Sequence, residues 1–478
     1  MIFMAYRLGE RIQATLFPQS VEEYVGQEDP VRVYEAFVEA VDFREIGIEE
    51  NEHKVGCPQY DPRSMLKLLV YGYSYGVRSS RELERAVYHN VSFIWLMKGL
   101  RPDHKTIANF RSHNKEALKQ VIKQCAKLCL KFNLIAGNKL FLDSSKIRAN
   151  ASINNTWTEE KINKYTARLE HRIEEIIKES EQIDQKEAGN ESLIKLKEEL
   201  QDKQVMKEKI KEVLEEIREK GIKSLNSVDE DCVKVKGRQG SHAGYSGHIV
   251  ADEKHGLIVN SDVVNKNNDT GEFSNQIKQA NELLGKRCQT ACADAGYSNV
   301  SNLKETDQEG IEVIVPNKKQ AGKKASGEFD KERFKYDVQK DQYICPEGKT
   351  LTFRGMNNKK GHRNYSITRS SICQGCKHYG VCTKSKYGRR VIRLIDEALK
   401  EKLEKQYESP EGQAIYKLRK EKVELPFGHL KRNLKVGSFL LRGLKGVQAE
   451  MSILTSCFNI RRMITILGVN PLINKLSA

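Results

Sequence analysis

The sequence predicts a mixed α/β fold that is preceded by an all-α domain. Apolar residues recur with the helical period through about the first 133 residues, and from about residue 231 the period changes to two. Three strand-like segments are then followed by alternating helices and strands, which is typical of a mixed α/β layer. The chain has 478 residues, more than one simple core usually holds, so several domains are expected.

Residues 1–135 are predicted to form the all-α domain. Tyr34, Phe37 and Val41 follow the spacing of one apolar helix face. Helix starts are predicted at Asp61 before Pro62, at Ser79 in a capping box with Glu82, and at Asp103. Several short helices with basic residues between them fit a helix-turn-helix DNA-binding domain or, equally, a helical bundle with a solvated basic surface.

Residues 139–143, KLFLD, predict a short buried strand that ends in an acid. The glycine-poor, highly charged segment 156–227 follows, and its apolar residues keep a helical 3/4 spacing. The residues that carry this spacing include Ile162, Leu169, Ile176, Ile210 and Ile217. We expect an antiparallel, coiled-coil-like helical hairpin with its turn near Gly189 and a structural or oligomeric role.

From residue 228 the pattern indicates a sheet. Three strands are predicted at CVKVK, YSGHIVAD and GLIVNSDVV, a helix at SNQIKQANELLGK, and two more strands at QTACAD and IEVIVP. We expect residues 136–155, 228–316 and 405–470 to form one α/β domain that ends in helices. The segment 317–404 is expected to be an insertion that consists of a basic, apolar-poor loop and a cysteine cluster.

The charge of the chain restricts its partners. Lys and Arg number 81 against 65 acids, which gives a formal net charge of +16. A chain this basic is expected to bind an anion, either nucleic acid or a membrane surface. No run of eighteen apolar residues exists, so no transmembrane helix is expected. The 11 cysteines are odd in number and mostly isolated, which favours a reduced, cytoplasmic chain.

Three acids stand out by position. Asp143 ends the first predicted strand, Asp294 ends a later one, and Glu424 lies on a predicted C-terminal helix. Three clustered carboxylates require cations, and oxygen ligands with few histidines favour two Mg²⁺ or Mn²⁺ ions, which act on phosphodiesters. A lone strand-end Asp is more often a turn residue. Asp252, as a hairpin-turn residue, and Asp269, as a loop cap or DNA neighbour, compete for the second position.

A second constellation lies in the segment 317–404. Four cysteines follow the spacing C-x27-C-x2-C-x5-C: Cys345, Cys373, Cys376 and Cys382. Four thiolates from two short loops suit tetrahedral Zn²⁺, and such a closed site is structural because it leaves no position for substrate. A chance cluster and a redox pair are the alternatives, and His378 is a substitute ligand that is more often exposed.

The sequences around the three acids form recognisable motifs. LDSSKIRANAS surrounds the first acid, ADAGYSN the second and VELPFGHLKR the third, with FLLRGLKGVQAEMSILTSCFNIRRM further on. These motifs, and N-terminal segments such as PDHKTIANFR, resemble the DDE transposases of bacterial insertion sequences over nearly the whole chain. The resemblance implies a ribonuclease-H-like catalytic domain in which Asp143, Asp294 and Glu424 are the metal-binding catalytic triad.

The resemblance also implies DNA contacts. Many of these transposases carry a Tyr and an Arg before the Glu and a Lys seven positions after it, which here are Tyr416, Arg419 and Lys431. Four residues separate Arg419 from Glu424 where the common pattern has three, so Arg419 is expected to be displaced by about 100° around the helix. Pro426 is expected to end or bend that helix. The expected DNA-binding residues are Lys146, Tyr416, Arg419, Lys431, Arg432, Lys435 and Arg442, although each alone is equally a solvated surface residue.

A transposase of this kind is expected to bind the terminal inverted repeats of its element, to cleave DNA there by hydrolysis, and to join the 3′-hydroxyl to target DNA. The resemblance also implies a homo-oligomer on paired DNA ends, a bacterial cytoplasmic location at the nucleoid and no membrane partner. The alternatives are a ribonuclease-H-like nuclease without strand transfer and a non-catalytic zinc-containing DNA-binding protein.

Overall fold

The computed structural model describes residues 20–48, 59–185, 190–237, 240–322, 327–357 and 361–478. The chain divides into two compact units. Unit 1 comprises Met1–Ala136, Ser144–Asn267 and Val423–Ala478, and unit 2 comprises Gly137–Asp143 and Asn268–Lys422. The finer division into four parts stays a prediction.

The N-terminal part of unit 1 is helical, as predicted. Its helices are α1 (Val31–Glu39), α2 (Phe43–Ile46), α3 (Pro62–Ser74), α4 (Ser80–His89), α5 (Val91–Leu96), α6 (His104–His113) and α7 (Lys115–Lys131), after a 3₁₀ helix at Val21–Tyr24. The predicted caps are confirmed: Asp61 accepts from the amides of Arg63 and Ser64, Ser79 and Glu82 form a capping box, and Asp103 accepts from the amide of Thr106. Residues 1–19 and 49–58 of this prediction lie outside the described residues.

The first strand, β1, runs over Lys139–Arg148 and is therefore longer than the predicted strand at 139–143. The inserted hairpin is confirmed as α8 (Glu159–Gln185) and α9 (Asn190–Glu219), which lie between two short paired strands, β2 (Thr156–Trp157) and β3 (Leu225–Asn226). Ile162, Leu169, Ile210 and Ile217 form the buried core of the hairpin, as their spacing predicts. The predicted turn near Gly189 lies outside the described residues.

Three antiparallel strands of unit 1 follow the hairpin, as predicted: β4 (Val233–Gly237), β5 (Gly240–Asp252) and β6 (Ile258–Val264). The unit 1 part of β1 lies beside β5 and is joined to it by a 2.9 Å bond from the amide of Ala149 to the carbonyl of Ala243. Asp252 is buried at the β5–β6 turn, where its carboxylate accepts the amide of Lys254 at 2.8 Å. Its interpretation as a hairpin-turn residue is therefore confirmed.

Helices and strands alternate in the first half of unit 2, as predicted. The elements are α10 (Phe273–Leu284), β7 (Thr290–Cys292), α11 (Val300–Gln308) and β8 (Glu312–Ile314). β7 lies between residues 139–141 of β1 and β8, and it pairs in parallel with both. Parallel pairs in unit 2 and antiparallel pairs in unit 1 confirm a mixed α/β class. Asp269 precedes α10, where its carbonyl accepts the amide of Glu272 at 3.1 Å.

The segment 317–404, predicted as an insertion with a basic loop and a cysteine cluster, also contains helices and a sheet that the sequence did not indicate. Its elements are α12 (Lys318–Ala321), β9 (Lys335–Asp337), β10 (Gln342–Ile344), β11 (Thr350–Asn357), β12 (His362–Ile367), α13 (Ser370–Gln374) and β13 (Arg390–Leu394). The strands form an antiparallel sheet in the order β13-β12-β11-β10-β9. The core of this sheet consists of Phe334, Tyr343, Leu351, Tyr365 and Val391. Its strands bury at most two apolar side chains each, and β9 buries none, so no run of alternating residues reveals the sheet in the sequence.

The C-terminal part is helical, as predicted, with α14 (Glu397–Glu408), α15 (Pro410–Arg432), α16 (Leu444–Leu467) and α17 (Val469–Ser477). α16 packs against α7 and β6 in unit 1. The Asn459 side chain bonds both the amide and the carbonyl of Ile258 at 2.8 Å. α15 does not end at Pro426 but continues for six more residues, because Phe427 and Leu430 bury this part of the helix. No helix within the described ranges is long and apolar enough to cross a membrane.

Candidate active site

Two of the predicted acids lie just beyond the paired residues of two neighbouring parallel strands in unit 2. β1 and β7 pair with Phe141 opposite Cys292. Asp143 and Asp294 each stand two residues beyond this pair in the sequence. Because adjacent strands lie about 4.8 Å apart, this register brings both acids to the same edge of the sheet.

The local turn explains the residues that follow the second acid. Oδ1 of Asp294 accepts the amide of Gly296 at 2.9 Å and caps a 3₁₀ helix at Ala295–Tyr297. A Cβ on Gly296 would lie 2.9 Å from that oxygen, closer than real Cβ contacts, so this approach requires glycine. Tyr297 is buried and packs edge-on against Phe273 at 6.4 Å between ring centroids. The motif Asp-x-Gly-Tyr thus orients the carboxylate of Asp294.

A buried arginine stands beside the first acid. Nη1 of Arg419, on α15, lies 3.6 Å from Oδ2 of Asp143, and the Arg419 side chain is 8% exposed. Its guanidinium lies 5.3 Å from the ring centroid of Tyr416, which packs edge-on against Tyr407 at 5.1 Å. Among the described residues, Nε and Nη1 of Arg419 have no hydrogen-bond partner. A buried cation with unused donors and an aromatic support is arranged to receive an anion.

Electrostatic effects place the second acid near the same arginine. Burial raises the pKa of Tyr416, and Asp294 and Cys292 raise it further, whereas the positive charge of Arg419 opposes them. Burial also raises the pKa of the Cys292 thiol to about 12. The charge of Arg419 lowers this pKa, and the charge of Asp294 raises it. Unit 2 therefore brings together Asp294, Tyr416 and Arg419, with Asp143 beside the arginine.

Lys431 reaches the strand that carries the first acid. Its Nζ donates to Oγ of Ser145 at 2.6 Å, and Ser145 follows Asp143 by two residues in β1. Lys431 therefore contacts the Ser145 face of the part of β1 that belongs to unit 1. Lys146 points to the opposite face, and its Nζ donates to Oγ of Ser246 on β5 at 2.8 Å.

Glu424 is exposed and lies on the part of α15 that belongs to unit 1. Lys431 follows it by seven residues, which is close to two helical turns, so both side chains lie on one exposed face of α15. The other predicted DNA-binding residues of unit 1, Arg432, Lys435 and Arg442, are also exposed. Within the described residues, no three His, Cys, Asp or Glu side chains form a group that could hold a metal ion.

The four cysteines of the predicted zinc site, Cys345, Cys373, Cys376 and Cys382, are free and line one cavity of about 30 Å³ in unit 2, beside the sheet of β9 to β13. Within the described residues they do not form a group that is placed to hold a metal ion. Burial raises the pKa of the Cys382 thiol, the charge of Arg389 lowers it, and the other three cysteines raise it further. His378 lines the same cavity and pairs with Glu347 at 3.1 Å.

Two family models match the chain. Residues 344–464 match a model described as Transposase DDE domain, and residues 19–113 match one described as Transposase domain (DUF772). The chain therefore carries two transposase domains. The resemblance to DDE transposases is thereby confirmed, and a transposase acts on DNA. No curated protein matches the transposase chain.

The matched segments cover the predicted site unequally. Arg419, Glu424 and Lys431 lie within the segment that matches the DDE domain, as do the four cysteines. Asp143 and Asp294 precede that segment, so their roles depend on the sequence motifs and on the strand register of unit 2. The transposase assignment is therefore firm, whereas the triad stays a prediction.

Sequence reasoning missed two residues that shape this region of the transposase. Ser145 positions the Nζ of Lys431, and the signal for it was the period-two pattern in LFLDSS, which places Ser145 on the Asp143 face. Tyr407 packs against Tyr416 from the preceding helix. Nothing in the local sequence indicates the contact between Tyr407 and Tyr416, because it depends on how α14 and α15 pack in three dimensions.

Proposed function

We propose that this transposase cleaves DNA at the ends of an insertion sequence and joins the released 3′-hydroxyl to target DNA. Asp143, Asp294 and Glu424 would hold two Mg²⁺ or Mn²⁺ ions on a ribonuclease-H-like fold. The observation that best supports this proposal is the arrangement in unit 2, where the buried Arg419 stands beside Asp143, one of two acids on neighbouring parallel strands. Nε and Nη1 of Arg419 make no hydrogen bond among the described residues, so they could donate to a substrate phosphate.

The donor set fits the proposed ions. Asp143 and Asp294 supply carboxylate oxygens, the ligands that Mg²⁺ and Mn²⁺ prefer, at one edge of the sheet. Glu424 is proposed as the third ligand because of its motif and because it lies within the matched DDE domain. When bound, the ions would activate the attacking oxygen and stabilise the leaving oxygen at a phosphodiester.

Arg419 is proposed to bind the phosphate that flanks the reacting bond. Nε and Nη1 of its guanidinium make no hydrogen bond among the described residues, so both can donate to phosphate oxygens. The Tyr416 ring holds the guanidinium from one side and limits its rotation. Arg419 therefore supplies a fixed positive charge where negative charge accumulates in the transition state.

Lys431 is proposed to bind a neighbouring phosphate as a point charge. Its contact with Ser145 holds the ammonium group against the part of β1 that belongs to unit 1. Exchange of Ser145 for a phosphate oxygen requires little movement, because the Lys431 side chain is exposed. Arg432, Lys435 and Arg442 extend the positive surface of unit 1, where they would contact DNA backbone without reading its sequence.

Both chemical steps balance without an external energy source. In cleavage, a water oxygen forms a bond to phosphorus, the bond to the 3′-oxygen breaks, and the 3′-oxygen takes up a proton. In joining, the 3′-oxygen forms a bond to a target phosphorus, one target phosphodiester bond breaks, and the leaving oxygen takes up a proton. We further propose that a homo-oligomer performs both steps on paired DNA ends.

The cysteine cluster is proposed to hold a structural Zn²⁺. The four cysteines line one small cavity, and two of their sulfurs accept backbone amides, Cys345 from Lys349 at 3.2 Å and Cys373 from Arg389 at 3.4 Å. Bonds of this kind orient metal ligands. Elemental analysis of the purified protein is expected to give one zinc per chain, and its absence would remove this part of the proposal.

The cleavage proposal is tested on a labelled duplex that carries the terminal inverted repeat flanking the gene, with Mg²⁺ present. Asp143→Asn, Asp294→Asn and Glu424→Gln are each expected to abolish strand cleavage while binding of the duplex persists. Asp252→Asn, at the buried turn, is the control for substitution of an acid in the same sheet. Wild-type cleavage by all three triad variants would disprove the mechanism.

The products of the same reaction separate the transposase proposal from its alternatives. Covalently joined donor and target DNA is expected when an unlabelled plasmid is added. Cleavage without joined products under all conditions would indicate a nuclease. Binding that is independent of metal ions, with no cleavage at all, would indicate a DNA-binding protein without catalytic activity.

A further inference from the structure

The loop of residues 433–443 joins α15 to α16 in unit 1 and carries two of the cations proposed to contact DNA. Lys435 and Arg442 are both exposed. Neither a helix nor a strand occurs within this fully described loop. Its conformation therefore depends on contacts with other segments of unit 1.

Arg78 binds one side of this loop. Its guanidinium donates to the carbonyl of Lys435 at 3.2 Å and to that of Ser438 at 2.7 Å, and it is paired with Glu450. Lys435 has a φ of 55°, in the left-handed region that residues other than glycine seldom adopt. Such a conformation persists where the surroundings determine it, and the Arg78 contact to the Lys435 carbonyl is one such determinant.

Glu450 binds the other side of the loop. Its second oxygen accepts the amide of Leu440 at 2.8 Å and that of Leu441 at 2.9 Å. Glu450 is 0% exposed and Arg78 is 6% exposed. The pair therefore uses its buried charges to bind four backbone groups on a loop that displays basic side chains.

The pair also links the two matched segments. Arg78 lies within the N-terminal transposase domain, and Glu450 lies within the DDE domain. Arg111 fixes Arg78 in turn, because its Nη1 donates to the Arg78 carbonyl and to the Tyr73 hydroxyl, both at 3.0 Å. The N-terminal helices thus reach the basic loop through a single buried network.

We infer that Arg78 and Glu450 are positioning residues, which hold the loop so that Lys435 and Arg442 meet successive DNA phosphates. The inference rests on the proposed DNA contacts of this loop. A loop that is held in place before binding loses less conformational freedom when DNA arrives, so its cations bind more effectively. The N-terminal domain thereby contributes to DNA binding without touching these phosphates.

Binding of the full-length protein to a fluorescein-labelled duplex of arbitrary sequence, about 30 bp long, tests the inference. Fluorescence anisotropy gives the association constant K between about 50 and 200 mM salt. The salt slope, defined as the magnitude of the change of log K with log[salt], falls by about 0.9 for each phosphate contact that is lost. Arg78→Lys keeps a charge for Glu450 but lacks the fork that reaches two carbonyls. It is expected to lower the slope by about 1.8, equal to two contacts.

A variant cycle separates positioning from general damage. Lys435→Gln with Arg442→Gln is expected to lower the slope by about the same 1.8, and Arg78→Lys is expected to add nothing in that background. An additional loss there, or an unchanged slope in Arg78→Lys alone, would overturn the inference. An unchanged slope in the Lys435→Gln, Arg442→Gln variant would also overturn it, while cleavage that depends on the triad acids would leave the proposed function standing.

Lys67→Met is the matched control. Lys67 is a buried cation of the same helical region, 2% exposed and paired with Glu35 at 3.2 Å and Glu39 at 2.6 Å, and it does not contact the loop. The salt slope of the Lys67→Met variant is expected to equal that of the wild type. Thermal unfolding shows whether each variant folds. If the Arg78→Lys variant does not fold, the Glu450→Gln variant takes its place and is expected to give the same reduced salt slope. A wild-type salt slope in the Glu450→Gln variant would overturn the inference.

Discussion

Replacement of Arg419 by Met is expected to slow DNA cleavage strongly at little cost in stability. At 3.6 Å, the charges of Arg419 and Asp143 attract each other by about 5 kcal/mol at an effective dielectric constant of about 20. Desolvation of the guanidinium costs several kcal/mol, which offsets most of this attraction. Two nitrogens of Arg419 lack hydrogen-bond partners among the described residues, so the arginine contributes little net stability.

Methionine has a similar volume and removes the buried charge. Asp143 keeps 20% of its side chain exposed, so water compensates part of its lost partner. The free energy of unfolding is therefore expected to fall by less than about 2 kcal/mol, below the 3–5 kcal/mol of a fully buried broken pair. Loss of a charge aimed at the transition state is expected to slow cleavage by about 10²- to 10³-fold, or roughly 3–4 kcal/mol.

The assay is single-turnover cleavage of the labelled end duplex at saturating protein, together with thermal unfolding. Arg393→Met is the control, because Arg393 also stacks on an aromatic ring of unit 2, Tyr336, at 3.9 Å from its centroid. This control is expected to cleave at the wild-type rate. Wild-type cleavage by Arg419→Met, or its destabilisation by more than about 3 kcal/mol, would refute the reasoning and make Arg419 a structural residue.

Further predictions concern other parts of the molecule. Lys431→Gln is expected to lower the salt slope of duplex binding by about 0.9, and an unchanged slope would show that this exposed side chain does not touch DNA. Gly296→Ala brings a Cβ within 2.9 Å of Oδ1 of Asp294, so cleavage is expected to slow by about tenfold or more, and a wild-type rate would contradict the role of this turn. Cys376→Ser is expected to release zinc and lower the melting temperature, and retention of the metal in elemental analysis would argue against its being a ligand. Burial lowers the pKa of His429, so the unfolded chain binds this proton more readily and stability is expected to fall as the pH drops below about 6.5. Denaturant titrations of His429→Gln are expected to show a weaker pH dependence, and an identical one would contradict this assignment.

Local features were predictable because the interactions that form them join neighbours in the chain. The caps at Asp61, Ser79 and Asp103 each depend on hydrogen bonds across two or three residues, so the residue types alone indicate them. The hairpin of α8 and α9 was predictable from a long apolar period. The sheet of β9 to β13 was not, because its core comes from single residues on separate short strands.

The path of α15 shows how packing overrides a local signal. Pro426 lacks an amide donor and was expected to end or bend the helix, yet α15 continues to Arg432. Phe427 and Leu430 are 7% and 1% exposed, and their burial holds the last turns in helical form. A proline indicates a weakness in a helix, but whether the helix ends there depends on what the following residues contact.

The sequence by itself indicated the transposase class and the residues predicted to carry its chemistry, because the residues of each motif are adjacent in the chain. It identified the acids, the basic residues and the four cysteines. Only the tertiary structure decided which of them meet. The register between β1 and β7 brings Asp143 and Asp294 to one edge of the sheet. The spacing of Arg419 to Glu424 predicted a displaced arginine, whereas the packing of α15 places it beside Asp143. Spacing gives only an angle around a helix, and the orientation of the helix itself is set by side chains that are far apart in the sequence.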